Sequence, residues 1–147
     1  MPRAQIFTLG YEGLSLAAFL RQLSAAGVET VVDVRDLPLS HKPGFSKRPL
    51  SEALANAGID YRHMKALGAP KPIRDRLRKT GDRSAFLKEF RAHLRGQREA
   101  LSELGEIVGG TSACLVCFEA DPALCHRTVV AEAVAKKTGA AIRHLRS

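Results

Sequence analysis

The sequence has no apolar run approaching the ~20 residues that a membrane-crossing helix needs. Its first residues, Met1-Pro2-Arg3-Ala4-Gln5, lack the apolar core of a secretory leader. These absences set the expectation of a soluble, cytoplasmic protein without a membrane partner. Cysteine is scarce: three residues, an odd number with no leader ahead of them, argue against a disulfide framework and for a reducing compartment. No Walker-type phosphate loop is present, and Gly10-Tyr11-Glu12-Gly13 lacks the spacing of a dinucleotide-binding turn. Also missing is a Cys followed six residues later by Arg, the arrangement with which tyrosine phosphatases and rhodaneses surround an anion. The sixth residue after Cys117 is Ala123, and after Cys125 it is Ala131. Sulfur transfer and cysteine-based dephosphorylation become minor options. Internal repeats and low-complexity tracts are absent.

What is present is a chain of 147 residues, 45% apolar, which predicts one compact domain over 1–147 with a core of ordinary size. The net charge of +8 is unevenly placed. Between Lys71 and Arg98 stand ten basic residues against three acidic ones, so this segment alone carries +7. Such a concentration fits a polyanion such as nucleic acid; it equally fits a solvated helical face. Aromatics for stacking on bases are few there, Phe86 and Phe90, and their spacing points into a core.

Strand-like and helix-like pieces alternate. Gln5 to Leu9 is a short apolar strand, followed by a helix capped by Ser15 with Leu16, Phe19, Leu20 and Leu23 at core spacing and Gly27 as its stop. Glu29 to Val34 fits a buried parallel strand. The loop from Arg35 to Phe45 is rich in turn formers. A helix over Lys47 to Ala57, capped by Ser46, leads to a third strand over Ile59 to Met64, with Tyr61 and His63 on one face and Arg62 on the other. Helices are predicted over Pro72 to Lys79 and Ser84 to Leu104, a strand over Ala113 to Phe118, a helix over Pro122 to Lys137 with Asp121 as its cap, and a closing strand over Ala141 to Leu145. This order predicts an α/β three-layer sandwich: a mainly parallel sheet of about five strands with helices on both faces.

In such a sheet, ligands bind at the carboxyl ends of the strands. Tyr11 and Glu12 follow the first strand, Asp33 and Arg35 close the second, His63 ends the third, and Glu119 follows the fourth, so all are expected at one rim. Asp33 stands out, because an ionised carboxylate in a Val-rich strand is costly unless a partner satisfies it. Arg35 or Arg127 could be that partner, in a ligand site or in a purely structural ion pair.

Five separated blocks carry a family resemblance: Thr8-Leu9-Gly10-Tyr11-Glu12-Gly13; Val32-Asp33-Val34-Arg35; Pro43-Gly44-Phe45-Ser46-Lys47; Tyr61-Arg62-His63 with Leu67-Gly68; and Cys117-Phe118-Glu119 followed by Pro122 and Cys125-His126-Arg127. In this order they resemble the family called domain of unknown function 488. The resemblance implies that Tyr11, Glu12, Asp33, Arg35, Lys47, His63, Glu119, Cys125, His126 and Arg127 belong to one site, and it implies no particular reaction.

The chemistry is therefore read from the side chains. If a helix starts at Pro122, Cys125 and His126 lie in its first turn, where unpaired N–H groups favour a thiolate. An imidazolium at His126, or Arg127, would lower the thiol pKa further. The plain alternative is a small buried cysteine. Zinc is a lesser option: Cys114 and Cys117 point to opposite faces of a strand and Cys125 and His126 are adjacent, which leaves a mixed set of Cys117 or Glu119 with Cys125 and His63. The leading expectation is a cofactor-free enzyme acting on a phosphate-bearing substrate such as a nucleotide or nucleic acid. Glu12, Asp33 or Glu119 would serve as acid or base, Cys125 or His126 as nucleophile or proton relay, and Arg35, Lys47 and Arg127 as anion clamps beside Tyr11 and His63. A non-catalytic nucleic-acid-binding module using the 71–98 segment, and a structural polar network with an acidic protein partner, stand as alternatives.

Overall fold

The computed structural model describes residues 4–146. In chain order the elements are β1 (Gln5–Gly10), α1 (Leu16–Ala25), β2 (Thr30–Asp33), α2 (Lys47–Asn56), β3 (Asp60–His63), α3 (Lys71–Thr80), α4 (Arg83–Arg95), α5 (Arg98–Gly110), β4 (Ala113–Cys117), α6 (His126–Thr138) and β5 (Ala141–His144). The five strands form one sheet in the order β3-β2-β4-β1-β5, and every pairing is parallel. The expected α/β sandwich is present, with a sheet parallel throughout.

Alternation along the strands assigns the two faces. Phe7, Leu9, Val31, Cys114 and Val116 pack with Phe19 and Leu23 of α1 and Leu50 and Leu54 of α2. Ile6, Val32, Ala113, Leu115 and Cys117 face the other way, against Ile73 of α3, Phe86 and Phe90 of α4, Leu101 and Leu104 of α5, and Val130 and Val134 of α6. Phe86 and Phe90 are indeed core residues. The connections leaving β1 and β2 thus cover one face, while the connection leaving β4 covers the other. Strands whose connections depart to opposite faces leave a crevice between their carboxyl ends, so the topology opens one at the end of β4.

Three local expectations are corrected. The single helix over Ser84 to Leu104 is two helices, because the chain closes α4 at Gly96, whose N–H returns to the His93 carbonyl, and restarts at Arg98. The helix expected from Pro122 begins four residues later. Pro122–Leu124 is a 3₁₀ turn whose Ala123 N–H is capped by Asp121, and Cys125, extended at φ −112° and ψ 140°, is the N-cap of α6. Ser46 occupies the N-cap position of α2 without capping it. Its hydroxyl accepts from the Ser40 N–H at 3.0 Å and donates to the Ser40 carbonyl at 3.2 Å, which closes the loop ahead of the helix.

That loop is anchored by Phe45, which is fully buried and stacks on Tyr11 at 4.5 Å between ring centroids. Two glycines allow the loops to meet at the rim. A Cβ on Gly10 would lie 1.7 Å from the Glu119 carbonyl oxygen, and one on Gly68 would lie 2.2 Å from the Asp36 nitrogen. No side chain fits at either place.

Candidate functional site

A cavity of about 730 Å³ lies at the crevice beyond β4. Its walls come from the ends of β1 and β4, the loop after β2, helix α3, the start of α4, and the turn into α6. Of the ten residues expected at one site, Tyr11, Arg35, Glu119, Cys125 and His126 line it. Glu12, Asp33, Lys47, His63 and Arg127 do not.

Asp33 is fully buried beneath the cavity, and its acceptor capacity is spent. Oδ1 accepts from the Arg35 Nε–H at 2.8 Å and the Arg35 backbone N–H at 3.2 Å; Oδ2 accepts from the Arg35 NH2 group at 2.7 Å and the Tyr61 hydroxyl at 2.5 Å. Each carboxylate oxygen has room for two donors, so no lone pair is left to take a proton from a substrate. Burial alone would lower the Arg35 pKa, but the hydrogen bonds and charge of Asp33 outweigh it and raise the value. Burial, reinforced by the bond to Asp33, likewise raises Tyr61 above the ordinary phenol range. Arg35 spends its NH1 group on the Tyr11 hydroxyl at 3.2 Å and the Phe45 carbonyl at 2.7 Å. The pair is a bracket that locks the loop after β2 to β3 and to the aromatic stack.

The other residues outside the lining hold the rim. Glu12 accepts from the Ala120 N–H at 3.0 Å, tying the β1 end to the loop after β4. His63 donates its Nε2–H to the Arg35 carbonyl at 2.7 Å, since a carbonyl can only accept. Lys47 is exposed at the start of α2, with its backbone N–H on the Pro38 carbonyl. The lysine that reaches the cavity is Lys42, whose Nζ donates to the Tyr11 carbonyl at 3.0 Å.

Arg127 is fully buried behind β4. Its NH1 group donates to the Cys117 sulfur at 3.3 Å and to the Glu119 carbonyl, and its NH2 group to the Ala120 carbonyl at 3.4 Å. Among the described residues its Nε is the buried side-chain nitrogen without a partner. Burial pushes its pKa down to about 10, offset in part by Cys114, Asp121 and Glu119. It is a positioning residue for the loop after β4.

Cys125 and His126 face the cavity together. The His126 Nε2–H donates to the Val34 carbonyl at 2.6 Å, which leaves the Nδ1 lone pair beside the Cys125 sulfur at 3.8 Å. Burial pushes His126 down to about 4, so a neutral ring stands where an imidazolium was expected. The Cys125 sulfur accepts the Arg127 backbone N–H at 3.5 Å, as an N-cap does. It also stands at disulfide distance from Cys117, against the expectation drawn from the odd cysteine count. Cys114 is buried on the opposite face.

Several cavity residues escaped the sequence reading. Arg74, Arg78 and Arg83 belong to the basic segment but reach the same space as Glu119; Arg83 donates to the Glu119 carboxylate at 3.0 Å and Arg74 to that of Asp36 at 3.0 Å. The segment is therefore no single face. Its Arg91 and Arg95 line a separate groove of about 400 Å³ with Lys136, and its Arg76 is paired with Glu89. Among the described residues, the four exposed large apolar side chains, Leu37, Leu39, Phe118 and Leu124, all line the main cavity. Of the expected zinc ligands, Cys117 and Cys125 converge with His126, and His63 is engaged elsewhere.

The family model described as domain of unknown function DUF488 matches residues 15–134. The chain belongs to this family. The match spans the DUF488 residues of β2, β3, β4 and the turn into α6, while the Thr8–Gly13 block lies ahead of it. Comparisons with curated proteins and with solved structures give no match. No helix of this DUF488 chain, among the described residues, is long and apolar enough to cross a membrane.

Proposed function

We propose that the rim cavity binds a phosphate-bearing small molecule with an apolar or planar body, of the nucleotide kind, and that the chain acts on it as an enzyme. The observation that carries this reading is that cations and exposed apolar side chains meet in one space. Arg35, Lys42, Arg74, Arg78 and Arg83 line it against the carboxylates of Asp36 and Glu119. With Arg35 neutralised by Asp33 beneath it, two positive charges are in excess. Leu37, Leu39, Phe118 and Leu124 supply the apolar wall, the mixture expected of a pocket that orients an amphipathic ligand. Arg78, whose contact with Asp75 is a long 3.8 Å, and Lys42, tied to a single carbonyl, are the cations readiest to turn to an anion. Glu119 is the acid–base group of this reading: it lines the cavity, and Arg83 holds it in place.

Equilibrium binding of nucleoside monophosphates and inorganic phosphate to the full chain tests it. Arg78→Ala and Lys42→Ala should each weaken binding by roughly tenfold, the worth of one charge-assisted hydrogen bond. Glu119→Gln should keep the affinity and lose turnover of whichever nucleotide is consumed. Failure of all these ligands to bind overturns the reading. Tight, steeply salt-dependent binding of an oligonucleotide alone would favour a nucleic-acid-binding module.

A further inference from the structure

The floor of the cavity holds a second arrangement. Cys117, Cys125 and His126 each offer one ligand atom, all within 4.8 Å of one another. Adjacent residues inside a helix point about 100° apart around its axis and rarely grip one ion. Here Cys125 is outside the helix, and its extended backbone turns its sulfur toward the His126 ring.

Each ligand atom has a supporting contact. His126 spends its Nε2–H on the Val34 carbonyl at 2.6 Å, which fixes the tautomer and leaves Nδ1 as the donor atom. This carbonyl-to-imidazole bond is the usual outer support of a metal-bound histidine. Each sulfur accepts one N–H: Cys117 from the Arg127 guanidinium at 3.3 Å, Cys125 from the Arg127 backbone at 3.5 Å. The Arg127 guanidinium is fully buried, and its acceptors are a sulfur and two carbonyls, with no carboxylate among them. A buried guanidinium calls for an anion, and a thiolate at Cys117 would supply one.

The backbone spacing adds a third observation. The Cα atoms of Cys117 and Cys125 stand 7.5 Å apart, wider than the about 4.4–6.8 Å that a disulfide usually spans. Two sulfurs bound to one tetrahedral zinc lie roughly 3.8 Å apart, given Zn–S bonds of about 2.3 Å. The frame suits an ion between the sulfurs.

We propose that the reduced chain binds one zinc ion through Cys117 Sγ, Cys125 Sγ and His126 Nδ1, with a fourth position open to the cavity. Two thiolates and an imidazole favour a soft d¹⁰ ion over magnesium or calcium. All three residues line the cavity, so the open position faces whatever occupies it, as in a catalytic zinc site and unlike a closed structural one. The oxidised pair does not bind. A thiol reductant first donates two electrons and two protons to the sulfurs and is itself oxidised to a disulfide. Coordination then releases the two thiol protons to solvent without a change of oxidation state. This centre rests on the ligand geometry alone and does not require the cavity ligand to carry phosphate.

The test uses the full chain, reduced with a phosphine, stripped by a chelator and kept under argon. Zinc is titrated in competition with a chromophoric chelator, cobalt replaces it for spectroscopy, and thiol alkylation is read by intact mass. One equivalent should bind. Cobalt should give thiolate-to-metal charge transfer and tetrahedral visible bands, and zinc should shield Cys117 and Cys125 from alkylation. Loss of an outer-shell partner costs ~10- to 100-fold in metal affinity, so Cys117→Ser, Cys125→Ser and His126→Ala should each lose on the order of 100-fold or more. Cys114→Ala, on the other face, should keep the stoichiometry. If the ligand variants fail to fold, the cobalt spectrum and the shielding of the native chain decide alone. A cobalt spectrum without sulfur charge transfer, or alkylation of both thiols undiminished by zinc, overturns the proposal. Phosphate and nucleotide affinity of the stripped chain is measured in parallel: if it persists while zinc fails, only the metal centre falls.

Discussion

Asp33→Asn is the sharpest test of how the rim is held, because the substitution keeps the shape of the side chain and removes only its charge and half its acceptors. Asp33 has no exposed surface, and Arg35 is 7% exposed, so solvent cannot take over either partner. Four donors converge on the carboxylate, three of them from Arg35. An amide presents one oxygen and one NH2 group. Placed at Oδ1, the NH2 group meets the Arg35 Nε–H and backbone N–H. Placed at Oδ2, it meets the Arg35 NH2 group and the Tyr61 hydroxyl. The tyrosine can rotate its proton and accept, but the guanidinium has no acceptor to offer. Breaking a buried pair by removing one charge costs about 3–5 kcal/mol, which for a chain of this length lowers the melting temperature by on the order of 10 °C. Tyr61→Phe removes one donor and leaves the pair intact, so it should cost less, about 1.5–3 kcal/mol. Urea unfolding of the reduced proteins, followed by circular dichroism, measures both. A loss below about 1 kcal/mol for Asp33→Asn, the worth of a solvated surface pair, would refute the bracket and return Asp33 to the list of candidate bases.

Gly10→Ala should cost about 1–3 kcal/mol or more by overpacking, because the new methyl group would meet the backbone of Glu119 and has no flexible neighbour to displace. Since that carbonyl also receives Arg127, the same variant should alter the alkylation rate of Cys125 in the reduced protein; an unchanged rate and stability would show that the loop gives way freely. Burial first, then the charges of Arg127 and Arg146, lowers the pKa of His144, whose Nδ1 lies 2.6 Å from the Thr8 hydroxyl. The folded state then holds its proton less tightly than the unfolded chain. The associated stability is full above the unfolded imidazole value near ~6.5 and is lost as pH falls through the folded one. A titration of the His144 ring by NMR should show a midpoint below ~6.5, and a midpoint at or above it would contradict the burial.

The rim was legible because parallel strands with helical crossovers send every carboxyl end the same way, so Tyr11, Asp33, His63 and Glu119 fall at one edge from their positions alone. Which of them face the cavity depends on contacts far apart in sequence. Asp33 is withdrawn from the chemistry by Arg35 and, at its last free lone pair, by Tyr61, which pairs with Val31 two residues back on the same face. Lys42 replaces Lys47 because Phe45 is anchored under Tyr11 and fixes which part of the loop turns inward. Pro122 is a sound helix-start signal, but it served a 3₁₀ turn. The chain must extend again at Cys125 so that Arg127 can reach under β4, and nothing in the local residues announces that tertiary demand.

Arg127 explains why the reactive side chains gather where they do. β4 is the central strand, flanked by β2 and β1, so its end is enclosed on both sides and the first carbonyls beyond it are within reach of the helix packed behind the sheet. Those of Glu119 and Ala120 turn to a guanidinium delivered from the first turn of α6. Because Arg127 lies two residues past Cys125, placing it under β4 necessarily brings the Cys125 sulfur and the His126 ring to the mouth of the same strand, beside Cys117. The cost of burying that charge with only carbonyls and a sulfur as partners is large unless the sulfur is anionic. The loop that gives the cavity its floor and the electronic state of Cys117 are therefore coupled through one side chain, and a change at either should be felt at the other.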